Sequence, residues 1–369
     1  MNEYPLITKK SIKKNRNLKT IQKEYHKSHR GIKGRFPKAR ISKVVRLRDR
    51  DNFFDFSDQI KAINQVPKVT AEQLLDTVRS MKISGLGGAG FPADRKLQTV
   101  IDSGISEKYL IINGVECDPG LLHDAWLIKN RLPELEAAIR LLAGAVPFKK
   151  IFLAVKDAPT MPAKGYELAI VPDRYPMGAE KLLAEQLLGI SLTPKDIPAE
   201  KGILVINLQT LYAIYEAVNL NRPAASRLVT VADLATGEAV VARVNLGSSM
   251  TELIDKILKK HNDQPMYAGG GILSAKEIAS GEKVTVKTNF IAYGNAAVYD
   301  QTAKCKKCGA CSKNCPMHIK VNKIVQQHEK SNHNYKDFHP EHCIRCGSCT
   351  YHCAAGKNIM EIVAAAGEA

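Results

Sequence analysis

The 369-residue chain reads as an α/β protein in three folded parts behind a basic arm. The parts are a layer of helices around a mostly parallel sheet, a small β-rich module, and a helical domain built on cysteines. Three observations predict this. Between residues 59 and 224, short buried strands alternate with helical patterns. Between 225 and 294, a hairpin precedes an amphipathic helix, and beyond 295 eight of the nine cysteines fall in two matching runs.

Residues 1–58 make the arm. Its first 50 residues hold 17 Lys and Arg against Glu3, Glu24 and Asp49, so +14 of the net +17 belongs to them. Clusters such as Lys9-Lys10 and Lys13-Lys14 interrupt any apolar face, and such a segment alone should be disordered. We expect an extended arm docked on an acidic partner subunit, with a solvated tail as the plainer reading. No base-stacking aromatics accompany the charge, which argues against nucleic acid. No apolar run approaches the roughly 18–20 residues that span a bilayer, and no signal peptide is visible. The expectation is a cytoplasmic protein, soluble or peripheral in a complex, in a reducing compartment where thiolates persist.

The α/β part is expected at 59–224. Val69–Met81 is a helix, with Thr70 as its cap and Leu74, Leu75 and Val78 at helical spacing. Gly85-Leu-Gly87-Gly88-Ala89-Gly90-Phe91-Pro92 follows. Four glycines in six residues cannot be a helix interior, but they let backbone approach a flat ring or a phosphate. The run Tyr109–Asn113 is a buried strand that feeds the polar loop Asn113-Gly-Val-Glu116-Cys-Asp118-Pro-Gly120, where a ligand site belongs. A helix over Leu132–Ala143, strands at Ile151–Val155 and Leu168–Val171, and a helix over Ala179–Leu188 complete the alternation.

In the 225–294 module, Arg227–Ala232 and Ala239–Val244 flank the turn Thr236-Gly237-Glu238, and Met250–Lys260 shows one apolar face. Hairpin and helix together suggest a β-grasp module. Gly269-Gly-Gly271 breaks the chain, and Lys283–Ile291 is strand-like.

The last part, 295–369, carries Cys305-x2-Cys308-x2-Cys311-x3-Cys315 and Cys343-x2-Cys346-x2-Cys349-x3-Cys353. This is the bacterial ferredoxin spacing for [4Fe–4S] clusters. Three closely spaced thiolates wrap one corner of a cube while the fourth reaches the other cube. Cys305, Cys308, Cys311 and Cys353 are therefore assigned to one cluster, and Cys343, Cys346, Cys349 and Cys315 to the other. Zinc sites and disulfides use similar pairs, but two complete fourfold runs favour iron–sulfur clusters. A protein so built moves single electrons.

The motifs Gly85–Pro92, Asn113–Pro119 and Tyr175-Pro-Met-Gly178-Ala-Glu180-Lys181, in this order before a double-ferredoxin tail, resemble the C subunit of the Rnf complex. More distantly they resemble the flavin-binding subunit of respiratory complex I. The resemblance covers about residues 70–353. It implies a Rossmann-like FMN-binding domain, a β-grasp domain of the SLBB type and a double-cluster domain. It also implies that the chain is an NADH dehydrogenase-type flavin and iron–sulfur oxidoreductase subunit, taking NAD(H), FMN and two [4Fe–4S] clusters as redox groups. Carried over by position, Gly85, Gly87, Gly88, Ala89, Gly90 and Lys96 would surround the flavin phosphate and ribityl chain, and Phe91 would hold the adenine of NADH. Asn113, Glu116, Asp118, Tyr175, Gly178, Glu180, Asn207 and Thr210 would face flavin or nicotinamide, with Glu116 and Glu180 closest to the chemistry. Val115 and Ala179 stand where the complex I relatives have acids, and Asp118 replaces a glutamate.

The arm stands where the Rnf subunit has an amino-terminal barrel-like domain. That implies a shortened relative serving a soluble reductase complex, for example a methylenetetrahydrofolate reductase. Membrane-associated Rnf and cobalamin-reducing microcompartment flavoproteins are the alternatives. A non-catalytic electron-wiring subunit, keeping clusters but not nucleotide binding, is the alternative from another class.

Overall fold

The computed structural model describes residues 3–5, 46–55, 67–118, 120–156, 165–173, 175–190, 192–193, 195–260, 264–295 and 302–368. Among the described residues, the first elements are the strands β1 (Glu3–Pro5) and β2 (Arg46–Asp55). Helix α1 (Ala71–Ser80) starts where its sequence signals: Thr70 Oγ1 accepts from Gln73 N at 3.2 Å while Gln73 Oε1 accepts from Thr70 N at 2.9 Å, a reciprocal capping box. The glycine loop then runs into α2 (Ala93–Asp102), and β3 (Lys108–Asn113) follows.

The helical stretch α3 (His123–Ala145) is two helices joined at a kink, the second covering the expected Leu132–Ala143. Its backbone leaves helical geometry at Arg131, two residues before Pro133. Proline lacks an N–H and crowds the preceding turn, so the chain kinks there and the first of the two segments reads in sequence as loop. Strands β4 (Phe148–Val155) and β5 (Glu167–Ile170), helix α4 (Glu180–Leu188), strand β6 (Ile203–Asn207) and helix α5 (Leu208–Leu220) complete this layer. The sheet order is β5-β4-β3-β6 and every pairing is parallel, so the carboxyl ends of β3, β4 and β6 share one edge.

The second sheet has seven strands in the order β1-β2-β8-β7-β11-β9-β10. Strands β7 (Ser226–Asp233) and β8 (Glu238–Asn245) form the expected hairpin around Gly237. Helix α6 (Met250–Leu258) packs Met250, Leu253, Ile254 and Ile257 on this sheet. Strands β9 (Met266–Gly269), β10 (Lys276–Ile278) and β11 (Phe290–Tyr293) finish it. Of the expected strand Lys283–Ile291, only Phe290 and Ile291 lie in β11. Within the stretch before them, Lys287 N donates to Thr285 Oγ1 at 3.2 Å and Thr288 N to the Thr285 carbonyl at 3.1 Å, local turn bonds that compete with a ladder.

The arm needs one correction. Its last residues are not a free tail: β2 pairs in parallel with β8, and Phe53 stacks on Trp126 of α3 with centroids 4.2 Å apart. The alternating charges of Arg46-Leu-Arg-Asp-Arg-Asp51 hide a strand paired on both sides, by β1 and by β8, and a ladder needs only backbone groups to pair. Docking of the remaining arm on a partner lies outside the described residues.

Four short helices form the last part: α7 (Ala310–Lys313), α8 (Val321–His328), α9 (Ser348–Tyr351) and α10 (Ile359–Glu368). They bury Ile319, Val321, Ile324, Val325, Ile359, Ile362 and Val363 together with Cys311 and Cys349. Among the described residues no helix is long and apolar enough to cross a membrane.

Candidate functional site

The glycine loop is held from three sides. Gly85 N donates to the Phe91 carbonyl at 2.7 Å and Gly90 N to the Gly85 carbonyl at 3.1 Å, closing the loop on itself. Leu86 N donates to Thr210 Oγ1 at 2.9 Å, from the first turn of α5. The buried Arg227 guanidinium donates to the Leu86 carbonyl at 3.0 Å, to the Val286 carbonyl at 2.5 Å and to Asn289 Oδ1. Gly88 and Gly90 sit at φ +108° and +70°, which side chains rarely adopt. The N–H groups of Gly87, Gly88 and Ala89 donate no hydrogen bond among the described residues. Three unengaged donors in a loop that opens a helix suit a phosphate, so the residues present fit FMN. Phe91 is half exposed beside them.

The strand-end residues converge as expected. Asn113 and Asn207 are register partners on β3 and β6. Asn113 Nδ2 donates to the Gly178 carbonyl at 2.8 Å, tying the third motif to the second. Asn207 caps α5 by accepting from Gln209 N at 2.9 Å, lies against Gly87, and donates to Asp124 Oδ2 at 2.9 Å. Glu180, at the start of α4, forms an ion pair with Lys96. The expected phosphate cation therefore already has a carboxylate partner.

Glu116 and Asp118 are both buried, for different ends. The Glu116 carboxylate accepts from Asp124 N at 2.9 Å and Ala125 N at 3.3 Å, capping the amino terminus of α3. Burial pushes its carboxyl up to about 7, against the pull of these donors and of Lys156. Asp124 is raised as well, first by burial and then by Glu116. Its Oδ1 is buried and accepts no hydrogen bond among the described residues. The buried Arg227 acts on Asp124 and Lys156 on Glu116, and the repulsion between the two carboxylates favours a proton on one of them. His123 stays neutral, lowered to about 3 by burial and Arg227.

Asp118, expected at the cofactor, turns instead toward the Gly269–Leu273 loop. Its carboxylate accepts from Gly120 N (2.9 Å), Ile272 N (2.9 Å) and Leu273 N (3.2 Å), and a Cβ on Gly271 would overlap it. One carboxylate side chain shorter than glutamate suits this anchoring geometry.

The cysteines fall into the two expected sets. Cys315, Cys343, Cys346 and Cys349 line one cavity, with Pro316, Ile319 and Met360. Cys305, Cys308 and Cys353 all raise the Cys311 thiol after burial does, so these four are neighbours. None of the nine cysteines is bridged, and a donor set of four thiols around one cavity fits an iron–sulfur cube. Only Cys308 is exposed. Cys117 is a half-buried loop residue, with Sγ accepting from Gly178 N at 3.3 Å.

Flavin-side loops and the second cysteine run meet directly. The Tyr175 hydroxyl donates to the Cys346 carbonyl. A Cβ on Gly347 would lie 2.5 Å from the Leu273 carbonyl, and Lys276 pairs with Glu361 at 2.7 Å. Arg227, Asn289 and Asp124 carry no sequence signal of a site. Arg227 sits in a valine-rich strand, and nothing in its neighbours signals a turn toward the glycine loop.

Residues 78–216 match the Nuo51 FMN-binding domain and residues 297–354 the 4Fe-4S dicluster domain. The two define an oxidoreductase-type flavin and iron–sulfur protein. Its curated relatives carry the name of the C subunit of an ion-translocating oxidoreductase complex. The Klebsiella pneumoniae protein is 30% identical over 73% of this chain and 38% of the relative. The Rhodobacter capsulatus protein is 29% identical over 74% of this chain and 54% of the relative, and the Actinobacillus succinogenes protein 28% identical over 71% and 40%. The chain thus spans about half or less of the relatives it matches. A solved NAD+-reducing [NiFe]-hydrogenase, in the H2-reduced state, has a chain with a similar fold: TM-score 0.57, 16% identity, 82% of this chain and 63% of that one.

Proposed function

We propose that the chain is the electron-input subunit of a soluble reductase complex, such as a methylenetetrahydrofolate reductase complex, that oxidises NADH at FMN and passes electrons singly through two [4Fe–4S] clusters. The supporting observation is the junction at Tyr175: one loop carries both the flavin-side motif, tied to Asn113, and the hydrogen bond to the Cys346 carbonyl. FMN, when bound, supplies the conversion of a two-electron donor into single electrons. The chain's own part is to hold and tune. Gly87, Gly88 and Ala89 offer N–H groups to the phosphate, with Gly85 and Gly90 closing the loop around them. Asn113, Tyr175 and Gly178 form the opposite wall, Asn207 and Thr210 brace the loop from β6 and α5, and Phe91 offers a ring for the adenine. Glu180 sets the position of Lys96, and Glu116 with Asp124 holds a buried charge and a proton beside the loop. Cys305, Cys308, Cys311 and Cys353 hold one cluster; Cys315, Cys343, Cys346 and Cys349 hold the other. In fold terms, we read the parallel layer as Rossmann-like and the second sheet with α6 as a β-grasp module of the SLBB type.

The Lys96–Glu180 pair, with Val115 and Ala179, favours a second reading: a wiring subunit that keeps its clusters and binds no nucleotide. Anaerobic addition of NADH to purified protein separates the two. Bleaching of a bound flavin band supports the first reading; iron and sulfide at cluster stoichiometry with no flavin sinks it.

A further inference from the structure

The two cysteine runs carry very different charge. Residues 302–330, around the first run, hold seven lysines against Glu329 alone, whereas residues 331–368 hold three basic and four acidic residues. Glu329 is spoken for, since it accepts from Cys305 N at 2.8 Å and pairs with Lys357 at 3.4 Å. Lys304, Lys306 and Lys307 flank Cys305 and Cys308 and are exposed, as is Cys308. The second run faces inward: Tyr175 reaches Cys346, Gly347 abuts Leu273, and Lys276 pairs with Glu361.

From this asymmetry we propose that the lysine-rich face around Cys308 is the docking surface for an acidic one-electron carrier protein, with electrons entering the cluster domain at the second run and leaving at the first. The proposal rests on the electron-input reading above. The step is an outer-sphere transfer: the reduced cluster loses one electron, the oxidised carrier gains one, and no bond forms or breaks. Three physical arguments converge. Electron tunnelling decays steeply with distance, so the cluster whose ligand reaches the surface is the outlet. A compact like-charged patch steers an oppositely charged partner and orients it over the redox group. Basic residues of the second run are balanced by acids, so the patch has a direction as well as a charge.

The test uses the holoprotein with both clusters, reduced by dithionite and freed of excess reductant, so that its outcome does not depend on NADH. Stopped-flow reduction is followed with an acidic [2Fe–2S] ferredoxin and with a basic c-type cytochrome over a range of ionic strength. The acidic carrier should react fastest at low salt and slow as salt rises; the basic cytochrome should show the opposite slope. The double variant Lys304→Glu/Lys307→Glu should slow the acidic carrier about tenfold at low salt and quicken the cytochrome. Lys336→Glu, on the second-run side, should change neither, and a small neutral quinone should react equally with all three proteins. Cluster spectra of each variant establish that the domain is intact. Equal rates for the variant and the parent protein, or a faster cytochrome than ferredoxin at low salt, would overturn the proposal. So would binding of the holoprotein to duplex DNA or phosphatidylserine vesicles that is lost in the double variant while the ferredoxin rate is unchanged. If instead NADH fails to bleach flavin while these rates behave as expected, the input reading falls and the docking surface stands.

Discussion

At the scale of single residues, the site is a set of buried polar groups whose partners decide their charge. Glu116 is the clearest case. Its folded carboxyl is raised to about 7 by burial, so the folded protein binds a proton at this pair that the unfolded chain releases near the ordinary glutamate value. That contribution is full below the unfolded value and is lost as pH rises through the folded one. Stability of the holoprotein should therefore fall from about pH 4.5 to about pH 7, and Glu116→Gln should flatten the slope; thermal melts across this window measure it. A profile of equal slope in both proteins would assign the proton elsewhere. The sequence marked Glu116 by its position after a buried strand, but its role as the cap of α3 was hidden because Pro133 masked where that helix begins. The cysteines were legible throughout, since a fourfold spacing encodes the geometry of the group it holds. Asp118 was legible as a site residue and not in its direction, which depends on a loop distant in sequence.

At the scale of elements, alternation was enough to find the parallel layer and the hairpin, because period and turn residues are local signals. Strand β2 was missed because charge alternation outweighed Phe53 and Phe54, whose packing depends on Trp126 and the second sheet. Phe53→Ala should cost about 2 kcal/mol, read as a lower denaturant midpoint at unchanged slope. Wild-type stability in that variant would mean that β2 lies on the sheet without supporting it. The cysteine loops are less forgiving. Gly347 has φ +76° and faces the Leu273 carbonyl, a backbone group that cannot swing away. Gly347→Ala should lower stability by about 2 kcal/mol and reduce bound iron, measured by melting and iron assay.

At the scale of the whole molecule, the flavin-side loops and the second cysteine run are in direct contact. Tyr175 spans that contact with a single hydrogen bond. Tyr175→Phe removes a donor near one cluster only, and a lost donor disfavours the more negative reduced state. One of two midpoint potentials should move to a more negative value in an EPR-monitored titration, leaving the other in place; a shift in both, or in neither, contradicts the assignment of Cys346 to a separate cluster. The loop that presses on Gly347 is fixed by a carboxylate 155 residues before Leu273. The surface against which Gly347 of the second run packs is therefore set by a carboxylate of the flavin-side layer, and is complete only where that layer is folded.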